Sequence, residues 1–139
     1  MDFFRLKTIR PLLASTNLRH ILPSLFWTVV IIFLYALPGN NLPGTKLWDM
    51  LPLDKVAHFV VFVLYSCMMC IGLTKQNTLP IKRLSPSQHA VIWGLIFGSI
   101  LEAIQGAVFL QRTTDIMDML ANGVGIFMGY VIFTLLYSR

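Results

Sequence analysis

Charge is what this sequence has least of. Asp, Glu, Lys and Arg together make up 12% of the 139 residues, about half the share of an ordinary soluble domain. A globular surface cannot be solvated with so few charges, so a soluble fold is excluded. Cysteine is almost missing: Cys67 and Cys70 are the only two. They form a single C-x-x-C inside an apolar run, with no second pair to complete a zinc site. A thiol in such surroundings behaves as a small inert hydrophobe, and we assign the pair no redox or metal role. No glycine-rich phosphate loop precedes a helix, so no nucleotide-binding domain and no cofactor are expected. No A-x-A-type site follows Leu37, and the basic and then apolar N-terminal region therefore reads as an uncleaved anchor rather than a leader. A covalent nucleophile is lacking too, since Ser99 lies within glycine packing and both cysteines lie deep in a span.

What is present is apolar sequence. Hydrophobic residues make up 56% of the chain, gathered in runs over about 21–37, 56–74, 89–109 and 116–137. Each is close to the roughly 20 residues a helix needs to cross a bilayer. Polar faces at helical spacing, which a soluble bundle would show, are missing. The expected fold is an all-α integral membrane four-helix bundle. It consists of one membrane domain over 21–137 behind a basic flank over 1–20, and that flank has some amphipathic character interrupted at Pro11.

The net charge of +5 is a topology signal rather than a nucleic-acid footprint. Arg5, Lys7, Arg10 and Arg19 precede the first run, Lys75, Lys82 and Arg83 separate the second from the third, and Arg139 ends the chain. By the positive-inside rule both termini and the second connection are cytoplasmic, and the first and third connections face outward. The partner that composition names is the lipid bilayer, with no nucleic acid and no stated oligomer.

The few polar residues in or beside the spans then fall at one face. Asp54, Lys55 and His58 open the second span, with Asp54 and His58 four apart on one helix face. Glu102 and Gln105 close the third. Arg112 sits in the outer turn, and Asp115, Asp118 and Asn122 open the fourth. Gly94 and Gly98 on the third span, and Gly125 and Gly129 on the fourth, form small-residue stripes that let helices approach closely. Their sequence placement predicts that these two stripes face each other. His20 and His89 are expected at the opposite, interfacial edge, and Ser85-Pro86-Ser87-Gln88 reads as a helix start.

Asp54-Lys55-x-x-His58-Phe59, Glu102-x-x-Gln105 and Arg112-x-x-Asp115-x-x-Asp118-x-x-x-Asn122-x-x-Gly125 together resemble the hallmarks of VanZ-like membrane proteins. The resemblance covers nearly all of the chain from Pro38 onward, and the ordered set is more specific than any one element. It implies a bacterial inner-membrane protein of the cell envelope, in a family named after a protein linked to tolerance of glycopeptide antibiotics, notably teicoplanin. It supplies a class and no mechanism.

Asp54, Glu102, Asp115 and Asp118 outnumber Lys55 and Arg112, so the site must hold a protonated carboxyl, recruit a cation or bind something basic. Three readings stay open. In one, Asp54, Lys55, His58, Glu102, Gln105, Arg112, Asp115, Asp118 and Asn122 recognise an envelope lipid headgroup or a glycopeptide-like ligand, with Lys55 and Arg112 on phosphate. In another, the site is enzymatic, His58 or Glu102 acting as a base oriented by Asp118. The spacing of Asp54 and His58 permits a metal without demanding one, and no metal is assigned. In the third, the polar set only fixes helix packing.

Overall fold

The computed structural model describes residues 18–36, 53–76, 84–108 and 115–137. Arg112, most of the basic flank and the first outward connection lie outside the described residues. A 3-10 turn, Leu18–His20, leads into α1 (Leu22–Ala36), followed by α2 (Leu53–Gln76), α3 (Pro86–Val108) and α4 (Ile116–Tyr137). Among the described residues every element is helical.

At a rise of 1.5 Å per residue, the 24, 23 and 22 residues of α2, α3 and α4 reach about 33–36 Å, enough for a hydrocarbon core of roughly 30 Å. All three are long and apolar enough to cross a membrane. α1 is not: its 15 residues span only about 22 Å. The expectation of four equivalent spans is therefore corrected to three long spans and one short apolar helix. Pro23 lies in its first turn, where proline is tolerated.

The helix starts are locally encoded. Ser85 caps α3 in a reciprocal capping box, with the Gln88 N–H donating to Ser85 Oγ at 3.2 Å and the Ser85 N–H donating to Gln88 Oε1 at 2.8 Å. Pro86 occupies the first helical position, where its missing N–H costs nothing. Asp115 caps α4, its Oδ1 accepting the Met117 N–H at 2.8 Å.

α2 is the central helix. It packs against the other three, most extensively against α4. Phe62 and Tyr65 of α2 meet Ile31 and Tyr35 of α1, Leu101 of α3 and Ile126 of α4 in the main core, while Cys70, Leu73, Ala90 and Phe133 form a second cluster toward the other end. The large apolar side chains left outside, such as Phe26, Trp93, Phe127 and Leu136, suit a surface that faces lipid rather than water.

Glycine decides how close the central pair comes. A Cβ on Gly125 would lie 2.5 Å from the Phe59 carbonyl oxygen, and one on Gly129 would lie 2.5 Å from that of Val63. Only a missing side chain lets α4 rest on the backbone of α2. This corrects the expected pairing of stripes, because the α4 glycines face α2, not α3. Gly94 and Gly98 of α3 in turn receive Tyr65 with Ile126, and Phe62 with Asn122.

α1 runs antiparallel to α2. The His20 carbonyl lies where a Cβ of Gly72 would be, Trp27 Nε1 donates to the Val61 carbonyl at 3.0 Å, and Tyr35 reaches His58. The start of α1 and the end of α4 lie at the same end of α2, since Tyr137 of α4 sits under the Lys75 ammonium. His89 at that end is buried within the bundle, its Nδ1 2.9 Å from the Ser85 carbonyl.

Candidate functional site

The opposite end of the bundle gathers the polar residues. Asp54, Lys55 and His58 come from the first turns of α2, Asp118 and Asn122 from the first turns of α4, and Asp115 from its cap. The close α2–α4 contact made by Gly125 brings these two sets face to face. His58, Glu102, Gln105, Asp118 and Asn122 are all buried, Glu102 completely.

Lys55 is the electrostatic bridge. Its Nζ donates to Asp115 Oδ2 at 2.7 Å and to Asp118 Oδ1 at 2.8 Å. Two of its three donors are thereby engaged within the protein, which leaves the lysine little capacity for the phosphate contact read from the sequence. The Lys55 hydrogen bond, and after it the Met117 N–H, hold the Asp115 carboxyl below its usual range.

His58 is held at Nδ1. Tyr35 Oη lies 2.8 Å from that nitrogen and Asn122 Oδ1 lies 3.1 Å from it, while Asn122 Nδ2 donates to Tyr35 Oη at 2.8 Å. The amide oxygen can only accept, whereas the tyrosine hydroxyl can accept or donate, so Nδ1 is held whichever ring nitrogen carries the proton. The other nitrogen, Nε2, faces carboxylates: Asp54 Oδ1 at 3.7 Å and Asp118 Oδ2 at 3.9 Å. Both distances are too long for a hydrogen bond.

Tyr35 is a site residue that the charge and motif pattern of the sequence does not single out. A signal existed: a buried tyrosine needs a partner for its hydroxyl, and Tyr35 sits near the end of a helix that otherwise offers none.

α3 contributes less directly. Glu102 Oε1 accepts the Asp115 N–H at 3.0 Å, which places its carboxyl group at the α4 N-terminus and satisfies a backbone N–H there. Glu102 Oε2 is buried without a hydrogen-bond partner. Gln105 Nε2 donates to the Tyr35 carbonyl at 3.3 Å, satisfying one of the free carbonyls at the end of α1. The structure therefore bonds Lys55 to Asp115 and Asp118 and His58 to Asn122, sets Asp54 and Asp118 beside His58 Nε2, and attaches Glu102 and Gln105 through backbone groups. Arg112 lies outside the described residues.

Below this cluster a groove of about 460 Å³ opens between α3 and α4, lined by Leu95, Ser99, Met119, Leu120, Gly123 and Phe127. Its lining is mostly apolar, with Ser99 and Asn122 the polar side chains, and Asn122 also holds Tyr35 and His58.

No curated protein and no solved structure matches the chain. The VanZ/LLP1 family model, however, matches residues 3–137, nearly the whole length. With membrane-length apolar helices and the ordered polar set on three of them, this chain belongs to the VanZ/LLP1 family of membrane proteins.

Proposed function

We propose that the acid-rich end of this VanZ/LLP1 protein recognises the headgroup of an envelope lipid. The headgroup carries an amine or sugar hydroxyls, and the lipid chain lies in the α3–α4 groove. The observation that carries this reading is Asn122, which belongs both to the buried polar network and to the apolar groove beneath it. A ligand with a polar head and an apolar tail would meet both surfaces at once. Among the described residues, Asp54, Glu102, Asp115 and Asp118 stand against Lys55 alone. That balance favours a cationic or hydrogen-donating group over a phosphate, especially with Lys55 already held by two carboxylates.

In this reading the protein sits in a bacterial inner membrane with both termini cytoplasmic and the acidic end outward, as the placement of Lys and Arg along the chain supports. A glycopeptide such as teicoplanin presents related amine and sugar chemistry, and a link to tolerance would run through the same residues.

The test is native mass spectrometry of protein extracted in its own lipid, comparing wild type with Asp54→Asn and with Leu120→Trp, which fills the groove. An amine- or sugar-bearing lipid should be retained by wild type and at least tenfold less by either variant, with melting temperatures unchanged. Adding glycopeptide should displace it if the two share the site. Absence of a specific lipid, with both variants melting earlier, would reduce the cluster to helix packing.

A further inference from the structure

Asp54, His58 and Asp118 each offer one ligand atom, and the three atoms lie within 4.8 Å of one another. We propose that they bind a divalent transition-metal cation of the zinc type, with His58 coordinating through Nε2 and the two aspartates through one oxygen each.

Proximity of acids alone would not support this. The orientation of His58 is the independent observation. Its ring is buried, and Nε2 makes no hydrogen bond among the described residues, yet it points between two carboxylates. Nδ1 faces Asn122 Oδ1, which can only accept, and Tyr35 Oη, which can accept as well as donate, so both offer acceptors for an Nδ1 proton. A neutral ring protonated there aims the Nε2 lone pair at two anions, which is unfavourable unless a positive charge lies between them. A metal ion bound there supplies that charge. A metal-binding histidine commonly donates its other N–H to an oxygen acceptor that fixes its tautomer, and Asn122, itself tied to Tyr35, is placed to do this.

The distances suit a set that closes on an ion. Ligand bonds of about 2.0–2.1 Å in a tetrahedral site put neighbouring donor atoms roughly 3.3 Å apart. The observed 3.7 and 3.9 Å are slightly open. Asp54 lies in the first turn of α2 with a half-exposed side chain, so rotation of its carboxylate closes the gap without moving a helix. Asp118 has Oδ1 on Lys55 and presents Oδ2 to His58. Charge favours occupancy as well: Asp54, Glu102, Asp115 and Asp118 stand against Lys55 at this end among the described residues, an excess of acids that a divalent cation offsets. Binding releases any proton on Nε2 to solvent and leaves a fourth position for water or a ligand oxygen.

This inference stands apart from headgroup recognition, because it is measured in detergent without lipid. Protein free of any polyhistidine tag is stripped with a chelator and titrated with Zn²⁺ and Co²⁺, by calorimetry and visible spectroscopy. One ion per chain should bind, and Co²⁺ should give the intense visible bands of a four-coordinate site. Asp54→Asn should weaken binding at least tenfold at an unchanged melting temperature, and Asp118→Asn should do the same if it folds. A Cys67→Ala/Cys70→Ala variant should bind as wild type does. Substoichiometric binding, binding indifferent to Asp54→Asn, or binding lost with the cysteines would overturn the assignment.

Discussion

At the scale of single residues, the site is built from groups that each solve a local problem for the fold. Asp115 caps α4 and binds Lys55, Glu102 accepts the N–H of Asp115, and Gln105 satisfies a carbonyl at the end of α1. His58 Nε2 and Glu102 Oε2 are left over, and these carry the chemical interest. Asp115 gives a pH test. Its folded-state carboxyl lies below the ordinary value of 3.8, so the unfolded chain takes up the proton more readily. The stabilisation is therefore complete above the unfolded range and is lost as pH falls through the folded value. Asp115→Asn keeps the cap and removes the charge. Its melting temperature in detergent should lie below wild type at neutral pH, and the two curves should converge below about pH 4. A gap that widens in acid would contradict the Lys55–Asp115 pairing.

At the scale of elements, the α2–α4 contact is the decisive one, and its tightness comes from absent side chains. Gly125→Ala and Gly129→Ala place a methyl 2.5 Å from a backbone carbonyl of α2, which a rotamer change cannot relieve. Overpacking of this kind costs about 1–3 kcal/mol, set against the roughly 0.5–1 kcal/mol that alanine gains over glycine in a helix. Both variants should melt earlier. Gly123→Ala, whose new methyl meets nothing nearer than Leu95 Cδ2 at 3.8 Å, should melt at or above wild type. Equal behaviour of all three in thermal unfolding would mean that α4 does not rest on α2 through its glycines. Ser66 adds direction to this interface by donating to the Ile126 carbonyl at 2.8 Å, and separation of the helices would strand that hydroxyl too.

At the scale of the whole molecule, the short first helix raises a question of parity. Three long spans alone would put the start of α1 and the end of α4 on opposite faces. The antiparallel run of α1 along α2, from His20 beside Gly72 to Tyr35 beside His58, covers about 14 residues of α2, or roughly 21 Å. A helix that follows its neighbour so far brings both described ends to the Arg19 and Lys75 end of the bundle. Reporter fusions at residue 1 and residue 139 should both read cytoplasmic, and a tag inserted after Asn41 should read outside. Opposite readings from the two termini would show that α1 lies on the membrane surface instead of along α2.

Much of this could be read along the chain, for reasons that are local. Apolar runs, turn-rich breaks and capping signals act over a few residues, so the helices, their order and the capped start at Ser85 were legible. The clustering of Asp54, His58, Glu102, Asp115, Asp118 and Asn122 at one end followed from counting residues along antiparallel spans. Less legible was the reach of α1, whose 15 described residues fall short of a full crossing. Which helix the α4 glycines touch was not legible either, because a small-residue stripe states that something comes close without naming it.

By itself, then, the sequence determined a helical membrane protein of the VanZ/LLP1 family with its polar residues at one end. Hydropathy, proline and the spacing of charges are properties of the chain and need no partner to be expressed. Only the tertiary structure decided that Tyr35 and Asn122 hold one nitrogen of His58 while Asp54 and Asp118 flank the other. It also decided that Lys55 is spent on two carboxylates. Those facts depend on how helices distant in sequence are rotated and how closely they approach, and that is set by packing against glycine backbones rather than by any local preference.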